Sequence, residues 1–193
     1  MKVAVVGVQG DVEEHIVATE KSMKNLGIQG EVLAVREPGI IPECDAIIIP
    51  GGESTTISKL ISRDSIAEEI IESAREGKRI MGTCAGLIVL AKEGDEQVER
   101  TKTKLLGLLD VKVKRNAFGR QRESFQTKLQ MKYVGEIDGV FIRAPLIESV
   151  GKEVEILAKF EDRIVAVKQG KILGLAFHPE LSSTKVHEYF LSL

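Results

Sequence analysis

Through its first half this chain alternates short apolar runs with amphipathic helical stretches, and that rhythm restricts the fold more than any other feature. "KVAVVGV" reads as a strand; "VEEHIVATEKSMKNLG" sets Val12, Ile16, Met23 and Leu26 at helical spacing and stops at Gly27; "EVLAVR" reads as a second strand. "CDAIIIPGG" follows as a third, residues 54 to 76 are helical in pattern, "KRIMGT" is a fourth strand and "AGLIVLAKEG" a further helix. Strands that alternate with helices pair in parallel, because a chain returning to the same end of a sheet needs a crossover, and the crossovers cover both faces. The unbroken apolar run from Ala46 to Ile49 suits a strand buried on both sides. The pattern predicts a doubly wound α/β three-layer sandwich with a mostly parallel central sheet.

From about residue 105 the texture changes to strands: "LLDVKVKR", "FQTKLQMKY", "GVFIRAP", "VEILAKF", "RIVAVKQ" and "KILGLAFHP". The separators "EDR" and "QG" are short enough for hairpins, so an antiparallel C-terminal extension is expected, closed by the helix "STKVHEYFLSL". No repeat or low-complexity linker divides the 193 residues, which are expected to form a single domain. Residues 93 to 104, "EGDEQVERTKTK", read as a mobile polar loop.

Composition excludes several functions. With 27 Lys plus Arg against 29 Asp plus Glu and 4% aromatic residues, the chain has neither the charge nor the stacking surfaces for nucleic acid. The basic stretch around "DVKVKR" alternates Lys with Val, which describes a strand with one wet face. Its apolar runs are far shorter than the ~18 residues that cross a bilayer, so no membrane association is expected. "MKVAVVGVQGD" lacks the small-residue cleavage site of a signal peptide, and two distant cysteines do not make a disulfide framework; a cytoplasmic location is expected.

In open α/β sheets ligands gather beyond the carboxyl ends of the strands. Three glycine-bearing turns lie there: "GVQGD" at 7–11, "PGGEST" at 50–55 and "GTCAG" at 82–86. Each alone is routine turn chemistry. "G-x-C-x-G" carries more, because glycines two residues either side of a nucleophile let strand and helix close around a strained turn. Cys84 would stand at a helix N-terminus, where free N–H groups favour thiolate. A buried, inert cysteine is the competing reading, and for Cys44, which lacks that context, it is the preferred one. A thiolate nucleophile needs a base and the base an orienting acceptor. His15 and His187 lie within helices and read as surface or packing residues, whereas His178 ends the strand "ILGLAF" and is followed by Pro179 and Glu180. A Cys84–His178–Glu180 triad is therefore plausible. "GVQGDV" lacks the spacing of a dinucleotide fingerprint.

Together, "PGGEST", "GTCAGLI" and "FHPE" resemble the class I, or triad, glutamine amidotransferases, whose fold is flavodoxin-like. With "GVQGDVEEH", "RNAFGRQRESF" and "GVFIRAP" in the same order, the chain is similar to the glutaminase subunits of pyridoxal 5′-phosphate synthase, "GGESTT" and "RNAFGRQ" being the narrower motifs. That resemblance implies hydrolysis of L-glutamine to glutamate and ammonia, with ammonia passed to a pyridoxal 5′-phosphate synthase barrel subunit and with no metal or organic cofactor. Carried over by position, Cys84 is the nucleophile, His178 the base and later acid, and Glu180 the group that holds it. Gly51, Gly52 and Ala85 would supply oxyanion N–H donors. Gly51, Gly52, Glu53, Arg115, Ile142 and Arg143 would contact glutamine, and Gln9 and Gly10 would lie at the partner interface. Two other readings stay open from sequence: a glutaminase subunit serving another synthase, such as one in histidine biosynthesis, and a non-enzymatic α/β protein using Cys84 as a redox sensor.

Overall fold

The computed structural model describes residues 1–115 and 124–193, so most of the "RNAFGRQ" motif, residues 116–121, lies outside the described residues. Its first half follows the expected alternation: β1 (Lys2–Val6), α1 (Val12–Leu26), β2 (Glu31–Val35), β3 (Ala46–Ile49), α2 (Ser54–Arg63), α3 (Ile66–Arg75), β4 (Arg79–Thr83) and α4 (Ala85–Leu90). After these come β5 (Ala91–Gly94), α5 (Glu96–Arg100), β6 (Leu109–Lys114), β7 (Ser124–Met131), β8 (Gly135–Ile142) and β9 (Leu146–Val150). The chain closes with β10 (Glu155–Phe160), β11 (Arg163–Gln169), β12 (Ile172–Leu175) and α6 (Lys185–Leu191).

The main sheet runs β2-β1-β3-β4-β12-β11-β9-β6-β5, with β10 also paired to β11 and a separate β7–β8 hairpin. From β2 to β12 every pairing is parallel, and from β12 to β6 every pairing is antiparallel. The last strand thus enters the sheet beside β4, far from it in sequence. Helices α1 and α6 pack on each other, and α2 packs on α3 and α4. Crossovers running in opposite directions along a right-handed sheet place these two groups on opposite faces. Both faces of β3 are covered, and Ala46, Ile47, Ile48 and Ile49 are fully buried, as their unbroken apolar run requires. Phe141 and Phe177 pack on each other, and Phe190 of α6 is buried with them in the core, each such burial being worth roughly 1.5–3 kcal/mol.

Gly27 ends α1 in the left-handed region, with its own N–H bonded to the Lys24 carbonyl and that of Ile28 to the Met23 carbonyl. Several expectations need correction. The helical stretch 54–76 is two helices, because Ser65 takes a positive φ of 63° and breaks the ladder. The helix begun at Ala85 stops at Leu90, and the remainder of "LIVLAKEG" pairs with β6 as a strand. Residues 93–104 are built structure: Asp95 caps α5 by accepting the Val98 N–H at 3.1 Å, and Val98 is buried. Along α1, Leu26 is exposed, while His15, Thr19 and Ser22 occupy the buried face with Val12 and Met23.

Candidate active site

Cys84 sits between β4 and α4 with φ 49° and ψ −102°, a backbone conformation that costs an L-residue on the order of 1–3 kcal/mol. The flanking glycines make the bend possible. A Cβ on Gly86 would stand 2.0 Å from the Ile49 carbonyl oxygen, and one on Gly82 2.6 Å from the backbone of Gly86. The expected elbow is therefore present. Ala85 opens α4, so its N–H has no partner one turn earlier within the helix and is free to serve an incoming oxygen.

Parallel pairing brings the histidine to the cysteine. Thr83 is in register with Leu175, the Cys84 N–H donates to the Leu175 carbonyl at 2.8 Å, and the chain leaves β12 through Ala176 and Phe177 to His178. Donation from the His178 N–H to the Val140 carbonyl at 2.8 Å fixes the backbone there. Pro179 starts a 3-10 turn over Pro179–Leu181 that folds Glu180 back, so that its Oε1 lies 2.7 Å from His178 Nδ1. The Glu180 side chain is wholly buried. With Nδ1 engaged by carboxylate, His178 Nε2 makes no hydrogen bond among the described residues and is left for the Cys84 thiol, which shares its cleft.

Asp11, to which no role was assigned from sequence, also reaches this imidazole, its Oδ2 lying 3.3 Å from His178 Nδ1. Burial disfavours charge on His178, but hydrogen bonding to Asp11, Cys84 and Glu180 outweighs it and pushes the pKa up to about 12. Glu180 is itself raised, first by burial, with His178 pulling the other way. The two groups are coupled, and the geometry supports a proton held on Nδ1 between two carboxylates. Asp11 is lowered, chiefly by its hydrogen bond with His178.

Behind Glu180 lies a second imidazole. His15 Nε2 is 3.2 Å from Glu180 Oε2 and 3.0 Å from Thr83 Oγ1, and His15 Nδ1 is 3.0 Å from His187 Nε2. Both histidines are fully buried, a packing role that sequence allowed, but the direct approach to Glu180 was not anticipated.

In front of the cysteine opens a cleft of about 600 Å³ whose lining includes Gln9, Gly52, Glu53, Cys84, Ala85, Arg115, Ile142, Arg143 and His178. Nine of the expected site residues thus share one cavity. Gly51 sits just behind this wall, where a Cβ would meet His178 Cε1 at 2.4 Å and Asp11 Oδ2 at 2.7 Å. Gly10 is exposed beside it, with Asp11 donating its N–H to the Gly51 carbonyl at 3.2 Å. Gln9 accepts the Glu53 N–H at 2.8 Å, so the first two glycine turns brace one another.

Glu53 caps α2 by accepting from the Thr55 and Thr56 N–H groups at 3.1 and 2.7 Å, and receives Arg115 Nη2 at 3.2 Å. Partial burial opposes its charge, but the hydrogen bonds from Thr56 and Thr55 prevail and bring its pKa down to about 2. Arg115 also donates to Thr55 and Thr101, and its backbone N–H donates to Asp95 at 3.1 Å. Residues 93–104 therefore hold a cleft arginine in place. Cys84 Sγ lies 3.7 Å from the Ile142 carbonyl. Cys44 is buried, its thiol directed at the Ile40 carbonyl, in keeping with the structural role expected of it.

The model of the SNO glutamine amidotransferase family matches residues 5–193. Among curated proteins, the pyridoxal 5′-phosphate synthase subunit PdxT of Archaeoglobus fulgidus is 68% identical over 194 residues, covering 100% of this chain and 98% of that protein. PdxT of Methanosarcina barkeri is 54% identical, covering 99% of this chain and 96% of its own length. Of solved structures, one described as a glutamine amidotransferase superposes with a TM-score of 0.85 at 44% identity, covering 98% of this chain and 97% of the other. A chain of the PurLQS complex from Thermotoga maritima shares the fold, with a TM-score of 0.66 at 21% identity.

Proposed function

This chain belongs to the SNO glutamine amidotransferase family, and from that premise we propose that it is the glutaminase subunit of a pyridoxal 5′-phosphate synthase, hydrolysing L-glutamine and delivering ammonia to a synthase barrel subunit. The observation that carries the reading is the Cys84–His178–Glu180 constellation at the carboxyl ends of neighbouring strands β4 and β12, opening onto a cleft that holds an arginine. Residues 1–193 act as one amidotransferase domain. The PdxT names of curated relatives matching over the full chain favour a pyridoxal phosphate partner over a synthase of another pathway. A redox sensor would have no use for a buried carboxylate holding the histidine or for a cleft lined by the anchored Arg115.

The chemistry follows from the geometry. Cys84 sulfur attacks the side-chain amide carbon, forming a C–S bond while the carbonyl becomes an oxyanion. The Ala85 N–H and an N–H of Gly51 or Gly52 are the donors for that oxygen; loss of one such donor typically costs about 3 kcal/mol of barrier. Glu180 keeps the His178 Nδ1 proton in place, so Nε2 is the atom that takes the thiol proton and then gives it to nitrogen as the C–N bond breaks and ammonia leaves. Water, deprotonated by the same Nε2, hydrolyses the thioester and releases glutamate. Arg115, whose fork faces the cleft, suits the substrate carboxylate, with Gly52, Glu53, Ile142 and Arg143 around it and Gly51 behind. Gln9 and Gly10, beside the cleft mouth, are placed for the synthase contact.

Ammonia and glutamate release from glutamine, measured with and without a pyridoxal 5′-phosphate synthase barrel subunit, tests this reading. Slow turnover by the chain alone, stimulation on mixing and loss of both in Cys84→Ala are expected. Equal rates with and without the barrel subunit, or ammonia release surviving Cys84→Ala, would overturn it.

A further inference from the structure

A triad carboxylate has two oxygens, and Oε1 of Glu180 is committed to His178. Its Oε2 is buried and makes no hydrogen bond of regular geometry among the described residues, and His15 Nε2, 3.2 Å away, is the side-chain donor that approaches it. A buried carboxylate oxygen without a donor is costly. We infer that His15 is a positioning residue of the active site: its Nε2–H holds the outer oxygen of Glu180, and through Glu180 fixes the tautomer and orientation of His178. The inference rests on the triad reading of the preceding section and extends it by one member.

Hydrogen-bond accounting supports a single proton order. A carboxylate only accepts, so His15 must carry its proton on Nε2, shared between Glu180 Oε2 and Thr83 Oγ1. His15 Nδ1 then accepts, and the group 3.0 Å from it, His187 Nε2, must donate. That leaves His187 Nδ1 as a bare lone pair, and it is the buried His187 atom without a partner. The reverse order would bury an unpaired N–H there and set an imidazole lone pair against the carboxylate. Both rings are kept neutral, His15 well below its usual range and His187 to about 4, in each case chiefly by burial. The groups facing Glu180 are then Asp11 and His15 of the α1 segment and His178 from the strand end, with Thr83 of β4 and His187 of α6 behind His15.

The test compares His15→Leu, which removes the donor, with His15→Gln, whose amide can place an N–H where Nε2–H stood. In the complex with a synthase barrel subunit, His15→Leu should lower kcat for glutamine about 10- to 100-fold, the loss expected of one hydrogen bond to a charged group, with little change in KM. The acidic limb of its pH–rate profile should move to higher pH, because Glu180 ionises less readily without its donor. His15→Gln should recover most of both. On the chain alone, the pH dependence of Cys84 alkylation by iodoacetamide should shift likewise, and nitrogen NMR of wild-type chain labelled at histidine should show His15 protonated at Nε2. An Nδ1-protonated His15, or an unmoved pH limb in His15→Leu, overturns the inference even if that variant folds poorly, since the NMR arm needs no substitution. Absence of glutamine turnover in wild type would instead remove the proposed function, while the alkylation and NMR arms still decide the role of His15.

Discussion

Replacing His187 by Gln should flatten the acid side of the stability profile. His187 is fully buried, and burial drops its pKa from 6.5 to about 4. Below pH 6.5 the unfolded chain takes up a proton that the folded chain refuses until about pH 4. Stability from this group is therefore complete above 6.5 and declines as pH falls towards 4. At about 1.4 kcal/mol for each tenfold difference in proton affinity, the loss amounts to roughly 3 kcal/mol. His178, raised to about 12, already holds its proton when folded while the unfolded chain takes one up near 6.5, so it acts with the opposite sign, but equally in both proteins. Glu180, whose folded form keeps its proton longer than the unfolded chain, acts with the opposite sign but equally in both proteins. Gln is uncharged at every pH and can still donate an N–H towards His15. Urea unfolding of wild type and His187→Gln at intervals from pH 7.5 to 4 measures the difference. The two curves should diverge by about 3 kcal/mol across the interval, or roughly 1 M in urea midpoint for a chain of this size. Parallel curves would refute the reasoning, because they would mean that His187 takes its proton as easily folded as unfolded.

Gly51→Ala should lower kcat by at least about 100-fold and also lower the unfolding midpoint, because a methyl 2.4 Å from His178 Cε1 displaces the buried base at an overpacking cost of about 1–3 kcal/mol; steady-state kinetics and urea unfolding check the pair. Arg115→Lys should raise KM for glutamine about tenfold or more with a smaller change in kcat, since an ammonium cannot bond both carboxylate oxygens. Glu53, lowered to about 2, contributes stability that is present above 4.5 and lost as pH falls through about 2; Glu53→Gln should remove that part of the acid dependence, read by thermal unfolding between pH 5 and 2, and should loosen Arg115.

The triad was legible because its signals are local. "GTCAG" states a bend that only glycine neighbours permit, and "FHPE" states a strand end, a turn and a carboxylate two residues on. Asp11 and His15 were not legible, because their partners arrive from the far end of the chain. They depend on β12 entering the sheet beside β4, which sets His178 and Glu180 over the first turn of α1. On a helix wheel the polar face of His15, Thr19 and Ser22 reads as the wet side, yet it packs on α6, where Ser22 donates to the Thr184 carbonyl and His15 meets His187. Residues 93–104 were misread for a related reason: charge usually marks solvent, but here Asp95 works as a helix cap and as the anchor of the Arg115 backbone. The parallel pairing of the first four strands was legible from their alternation with helices, but their order was not, and β9 lies within a run too polar to announce a strand.

Peptide mapping by mass spectrometry tests the central claim most directly, on the chain mixed with a synthase barrel subunit and quenched in acid during glutamine turnover. One γ-glutamyl group carried by Cys84, absent from Cys44 and lost in His178→Ala, is the expected result. Steady ammonia release with no acyl group on Cys84, or an acyl group on any other residue, would contradict it.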